Sequence, residues 1–162
     1  MVNQQTRMSK IQQKRSLGPG ERPVVRSKYA HMLAEDHAAW TAFIESEWNL
    51  LDEVWYDVHV GVPMALPKDS PNYMRAVVDG VSRKRIDVVG RDQGLFLIIE
   101  VKPFANMTAI GQVVTYAKLF NQEFDISPPA LPMIVSMTLD RDILEIGEHL
   151  GVKMLAMDGV TL

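Results

Sequence analysis

The sequence predicts an α/β domain with a mixed central sheet and helices on both faces. Three observations predict it. Apolar residues recur at helical spacing in two long stretches, 28–51 and 107–123. Around them run short segments rich in β-branched residues, and one of these, Leu95–Lys102, is almost wholly apolar. The 162-residue chain is 47% hydrophobic and 23% charged, enough apolar mass for a core of its own. Segments that alternate between the two periods fold as a sheet covered by helices.

Residues 1–27 carry Gln, Lys and Arg with a Gly18-Pro19-Gly20 break, and read as a basic arm outside the core, with a short helix over Thr6–Lys14. Residues 28–162 form the domain. Tyr29, Met32, Leu33, Trp40, Phe43, Ile44, Trp48 and Leu51 recur at spacings of three and four, so 28–51 is expected to be a helix with Ser27 as its N-cap. Val54–Gly61 alternates and reads as a strand. Val62–Ser82, with Pro63, Pro67 and Pro71, reads as a long irregular connection with a short strand at Arg75–Val78. Connections of that length are often functional loops. Lys84–Val89 and Leu95–Lys102 are the next strands, joined by a turn at Gly90–Gly94. The apolar run of the second places it centrally in the sheet, and Pro103 ends it. Asn106 caps a helix over Met107–Glu123 that buries Ile110, Val113, Val114, Ala117 and Phe120. After the Ser127-Pro128-Pro129 break come a strand at Met133–Met137, a helix at Asp140–Leu150 closed by Gly151, and a last strand at Val152–Met157.

Composition excludes several classes. With no cysteine, disulfide scaffolds, zinc–cysteine sites and thiol nucleophiles are out. No 18-residue apolar run suggests a membrane span. The polar, basic N-terminus does not read as a secretory signal. The expected setting is cytoplasmic, or a virion if the source is viral, with no membrane partner. There is no GxGxxG, Walker loop or HExxH, and Ser136 lacks the flanking glycines of a nucleophile elbow. His31, His59 and His149 show no metal-ligand spacing.

The net charge of −3 is unevenly spread: residues 1–28 carry +6 and the remainder −9. A basic arm on an acidic body suits contact with phosphate or an acidic partner, and equally a solvated terminus. Lys14 and Arg15 in the arm, and Arg83, Lys84 and Arg85 at a strand entrance, are the candidate nucleic-acid contacts.

Three charged residues stand where core strands should be apolar: Asp87, Glu100 and Lys102. Residues two apart on a strand share a face, so Glu100 and Lys102 point together. The short turn makes the two strands an antiparallel hairpin, which brings Asp87 near Glu100. Buried charges are costly without compensation. Two carboxylates with water oxygens suit a hard cation such as Mg²⁺ or Mn²⁺. Such an ion acidifies a bound water and stabilises charge on a phosphate, and Lys102 could hold or activate that water. Gln112 and Tyr116 lie four apart on the following helix, on one face, and both can hydrogen-bond.

Asp87, a gap of 12 residues and then Glu100-Val101-Lys102 resembles the motif of the PD-(D/E)xK nuclease superfamily. Gln112-Val-Val-Thr-Tyr116 is similar to the QxxxY motif of its RecB-like and lambda-exonuclease-like members. Ile86 stands where the superfamily's name has proline. The resemblance spans residues 28–157, with its specific part at 83–120. It implies a restriction-endonuclease-like αβββαβ core and Mg²⁺- or Mn²⁺-dependent hydrolysis of DNA phosphodiesters, with a tilt toward ends or single strands and RNA not separable. By the same resemblance Asp87, Glu100 and the Val101 carbonyl bind metal, Lys102 positions the attacking water, and Gln112 and Tyr116 orient substrate.

The family often adds an acid from the first helix. Asp36 and Glu47 both fall within about 40° of the apolar stripe's axis. The following strand runs back about 26 Å, which the helix covers in roughly 17 residues. That sets the strand's far end level with residues 33–37 and selects Asp36, with Glu47 in reserve. His37 is a further candidate, since some RecB-like nucleases use a helix histidine. The alternative expectation is a module that keeps the nuclease fold for binding or assembly, as in a virus structural protein or a subunit of a DNA-processing complex. Its arm would then join an oligomer or larger assembly.

Overall fold

The computed structural model describes residues 14–159. Along them run α1 (Ala34–Glu45), β1 (Glu53–Val60), α2 (Asn72–Ser82), β2 (Lys84–Asp92), β3 (Leu95–Ala105), α3 (Met107–Glu123), β4 (Leu131–Leu139), α4 (Leu144–His149) and β5 (Lys153–Ala156). The strands lie side by side in chain order. β1, β2 and β3 are antiparallel neighbours, whereas β4 and β5 run parallel to β3. Loop length explains the difference. Gln93 and Gly94, with φ of 46° and 89°, make a two-residue hairpin turn between β2 and β3. A parallel partner for β3 requires a crossover, which α3 supplies.

Helices cover both faces. On one, α1 buries Ala39, Trp40 and Phe43 against Val54, Val88, Ile99, Val101, Met133 and Val135. On the other, α3 packs Ile110, Val113, Ala117 and Phe120 on Val60, Ile86, Val89, Ile98 and Ile134. α4 shares the side of α3, with Gly147 close to Met154 and Ile110. Phe43 and Phe120 are fully buried, and each contributes on the order of 1.5–3 kcal/mol. Trp40 is buried with its indole N–H donating to the Tyr56 hydroxyl at 3.0 Å. The arrangement matches the αβββαβ core of a restriction-endonuclease-like fold, with α2 inserted between β1 and β2.

The first helix is shorter than its apolar spacing suggests. The chain turns at His31, whose φ is 54°, and α1 begins after Leu33. Ser27 lies upstream of this turn and caps nothing. Tyr29 is buried by its own anchors: its hydroxyl donates to the Val24 carbonyl and accepts from the Arg26 N–H. At the far end the Ser46 hydroxyl donates to the Phe43 carbonyl at 2.7 Å, competing for a helix acceptor. Leu33 and Trp48, expected on the buried stripe, are exposed.

The connection over Val62–Ser82 contains α2, and no strand forms at Arg75–Val78. Val77, Val78 and Val81 favour a strand, but local bonds override that propensity. Pro71 stands just before the first turn, where no N–H is needed. Arg75 donates to the carbonyls of Pro67, Lys68 and Ser70, tying the helix to the preceding turn. α2 buries no residue, and its Tyr73, Val77 and Val81 face solvent.

β2 continues through Gly90 to Asp92, so the turn is only Gln93–Gly94. Gly90 serves packing: a Cβ there would meet Leu51 at 2.9 Å and Ile99 at 3.1 Å. β3 likewise runs past Pro103. The ladder to β2 stops at Val88↔Ile99, so the missing N–H of Pro103 leaves no rung unmade on that side. Asn106 caps α3 as expected, accepting from the Thr108 N–H at 2.9 Å. The helix expected over Asp140–Leu150 is a 3₁₀ turn, Arg141–Ile143, running into α4.

Of the expected arm, residues 1–13, with Arg7, Lys10 and nearly all of the helix expected over Thr6–Lys14, lie outside the described residues. Residues 15–21 pack along the sheet. Glu21 and Val54 exchange both backbone hydrogen bonds, at 2.9 and 2.8 Å. Arg15 bridges to Phe124, and Leu17 packs against the core beside α3. The segment thus covers the outer edge of β1, which would otherwise be an open template for pairing.

Candidate functional site

The site grows from the point where β2 and β3 part. The Asp87 carboxylate takes up the backbone group that the ended ladder leaves over: its Oδ2 accepts from the Val101 N–H at 2.9 Å. Glu100, one residue earlier on β3, is 1% exposed. Lys102 Nζ stands 2.7 Å from Glu100 Oε1, so the two side chains point together as their spacing requires. Glu100 Oε2 is buried without a hydrogen-bond partner among the described residues.

The electrostatics follow from this crowding. Burial, then the charge of Asp87, push the Glu100 carboxyl up to about 7, against the opposing pull of Lys102. Burial also raises Asp87; the Val101 N–H and Lys102 oppose the rise, and Asp36 and Asp57 add to it. Burial lowers Lys102, but its hydrogen bond to Glu100 and the charges of Glu100, Asp87 and Asp36 outweigh that and raise it, so the ammonium is held protonated. Tyr116 is raised by burial, eased by its bond with Gln112, and raised further by Glu100 and Asp87.

These couplings place the remaining candidates. Asp36 acts on Asp87, Glu100 and Lys102 from α1. Glu47 is exposed in the turn after α1 and acts on none of the three. His37 is engaged elsewhere: its Nε2 lies 2.6 Å from the Arg26 carbonyl, its Nδ1 lies 3.4 Å from Thr41 Oγ1, and its ring lies against Tyr29. Gln112 Nε2 donates to the Tyr116 hydroxyl at 3.4 Å, and Tyr116 is within electrostatic reach of both carboxylates.

The basic candidates divide. Arg83 is turned inward, its Nη2 2.6 Å from Glu123 Oε2 and its Nε donating to the Gly61 carbonyl. Arg15 pairs with the same carboxylate at 3.2 Å, donates to the His59 carbonyl and lies over the Phe124 ring. Arg85 donates to His59 Nε2 and to His31 Nδ1. Lys14 and Lys84 are exposed. Arg83 and Arg15 thus hold the fold together, and the outward charge of the run is that of Lys84 and part of Arg85.

Asp57 is the residue that sequence reasoning missed. In the β1–β2 register Tyr56 pairs with Val88 and Val58 with Ile86, but the rung between them, Asp57 against Asp87, is absent. Asp57 has a φ of 54°, rare for a non-glycine residue within a strand. Its carboxylate is flanked by His31, His59 and Arg85. Arg85 Nε lies 3.2 Å from Asp57 Oδ1, but its N–H is directed at His59, which leaves that oxygen without a hydrogen bond. The available signal was an acid in mid-strand, level with a second acid on the neighbouring strand.

Among the described residues no group of three or more His, Asp or Glu side chains is disposed to hold a metal ion. Mg²⁺ is often held by only one or two carboxylates, with water and phosphate completing its shell. Asp87 and Glu100, adjacent hard-oxygen donors with one buried oxygen uncommitted, fit that smaller requirement. No helix among the described residues is long and apolar enough to cross a membrane.

No family model and no curated protein matches the sequence. Two solved structures are similar to it. One, the protein of unknown function AF1548, is 16% identical with a TM-score of 0.44, over 77% of this chain and 59% of that one. The other, protein VC1899 from Vibrio cholerae, is 16% identical with a TM-score of 0.45, over 75% of this chain and 30% of that one. The chain therefore spans less than two thirds of either.

Proposed function

We propose that the chain is a Mg²⁺- or Mn²⁺-dependent nuclease that hydrolyses DNA phosphodiesters at the Asp87–Glu100–Lys102 site. The observation that carries this reading is the buried carboxylate pair, with Glu100 Oε2 free and the Lys102 ammonium 2.7 Å from its other oxygen. Asp87, Glu100 and the Val101 carbonyl would hold the cation, with Asp36 supplying charge from α1. When bound, such an ion stabilises negative charge developing on a phosphate. Lys102, kept protonated by its acidic neighbours, donates hydrogen bonds to the attacking water or to a phosphate oxygen. Gln112 and Tyr116, on the adjoining face of α3, orient the substrate. The QxxxY resemblance favours ends or single strands.

Cleavage assays with Mn²⁺ on single-stranded DNA, double-stranded DNA and RNA test the proposal. The expected result is DNA degradation that Lys102→Ala abolishes while the circular dichroism spectrum stays native. Equal cleavage by the variant would remove the site from the reaction.

A second reading is favoured by two observations. Lys102 already neutralises Glu100 without a metal, and α2 presents Tyr73, Val77 and Val81 to solvent. Both suit a nuclease-like fold kept for binding or assembly, with the apolar stripe of α2 facing a partner subunit. No cleavage of any substrate, together with a defined oligomer by light scattering, would select this reading.

A further inference from the structure

Two buried side-chain oxygens near Lys102 have no hydrogen-bond partner among the described residues: Glu100 Oε2 and Ser136 Oγ. They belong to adjacent strands. In the β3–β4 register Glu100 pairs with Ile134 and Lys102 with Ser136, so Glu100 and Ser136 are diagonal neighbours, about 7–8 Å apart between backbones, a gap that one water between their side chains can span. Both oxygens are on one side of the sheet. Ile99 and Val101 pack beneath α1, as do Val135 and Met137. Glu100 and Ser136 alternate with them and so face the α3 side, where Ile98 and Ile134 lie.

Ser136 is 0% exposed in a strand that otherwise reads Met-Ile-Val-Ser-Met. An apolar residue would serve packing there, because a buried hydroxyl without a partner is destabilising. The chemistry of the two oxygens is complementary. A carboxylate only accepts, a hydroxyl can donate, and one water between them satisfies both. We propose that Ser136 is a positioning residue of the site: its hydroxyl, through one bridging water, fixes the free Glu100 oxygen and holds the carboxylate in the rotamer that cation binding uses. This rests on the reading of Asp87 and Glu100 as cation ligands. Partners of this kind behind metal-binding groups commonly change affinity by about 10–100-fold.

The test is titration of the full chain with Mn²⁺, followed by electron paramagnetic resonance, for wild type, Ser136→Ala, Ser136→Thr and Glu100→Gln. Thermal unfolding of each in chelator accompanies it. Ser136→Ala is expected to weaken Mn²⁺ binding by about tenfold or more, and Ser136→Thr, which restores the hydroxyl, to recover most of it. Ser136→Cys, of similar size but a poor hydrogen-bond donor, decides the matter if the alanine variant does not fold. Wild-type affinity in Ser136→Ala with a raised Tm, while Glu100→Gln loses binding, would overturn the role of Ser136 alone. Equal loss in Ala and Thr would also overturn it, since shape rather than the hydroxyl would then decide. Wild-type binding by Glu100→Gln would overturn the ligand reading itself, and this proposal with it.

Discussion

Glu100→Gln is expected to change how the stability of the metal-free protein depends on pH. The Glu100 carboxyl is pushed from its ordinary 4.5 to about 7 by burial and by Asp87. Between those values the folded chain keeps the proton and the unfolded chain has released it, so folding is weakened as pH rises. A shift of that size corresponds to roughly 3 kcal/mol, lost progressively from about pH 4.5 to pH 7 and absent above. Glutamine keeps the shape and an acceptor for Lys102 but does not titrate. Urea unfolding in chelator from pH 4.5 to pH 8 reads this directly. The wild type is expected to lose about 3 kcal/mol more than Glu100→Gln across the range. A divalent cation at ten times its Kd should return about 1.4 kcal/mol to the wild type at pH 8, and nothing to the variant. Parallel stability curves for the two proteins would refute the electrostatic account of the site.

Other perturbations probe the surroundings. At Gly20 an added Cβ would sit 2.6 Å from Glu53 and Trp55 side-chain atoms and 2.8 Å from the Val54 carbonyl. Gly20→Ala should therefore cost about 1–3 kcal/mol and speed amide exchange at Glu21 and Val54; unchanged exchange would mean the segment is not held by this contact. Because Asp57 has φ of 54°, Asp57→Gly should be more stable than Asp57→Ala by about 1 kcal/mol in urea unfolding, both having lost the same ion pairs. The reverse order would show that the backbone there is unstrained. The bond from Gln112 to the Tyr116 hydroxyl is long, at 3.4 Å. Tyr116→Phe should thus change stability by less than about 1 kcal/mol while slowing cleavage, and full activity would take Tyr116 out of the site.

Much of the architecture was legible because it rests on local signals. The apolar run of β3, the Asn106 cap and the stripe of α3 each follow from neighbours within a few residues. The pairing of Glu100 with Lys102 needed only the two-residue period of a strand. What was not legible depends on contacts between distant residues. Arg75 reaching back to three carbonyls makes α2 out of a valine-rich segment. Glu21 bonding to Val54 turns a polar stretch into an edge cover. Arg83 and Arg15 look like free basic groups until both are found on Glu123.

The missing rung at Asp57 explains why charged groups can gather at the edge of such an apolar sheet. On β1, Val54 and Tyr56 pack beneath α1, whereas Val58 and Val60 pack on the α3 side. On β2, Val88 faces α1, whereas Ile86 faces α3. Both strands therefore change sides at the same level, between Tyr56↔Val88 and Val58↔Ile86. On β1 the φ of 54° at Asp57 accompanies the change of side. Asp57 and Asp87 stand at the seam, where neither core claims the side chain, so two carboxylates are accommodated without displacing apolar packing. β3 makes no such change between Phe96 and Val101, so Glu100, level with Asp87 just past the Val88↔Ile99 rung, shares a face with Lys102 by ordinary alternation. Residues held in rare backbone conformations cost about 1–3 kcal/mol and collect at functional sites. In this sheet that cost falls beside Asp87, which is influenced by Asp57 and in turn influences Glu100, and this is a physical reason to look for chemistry there.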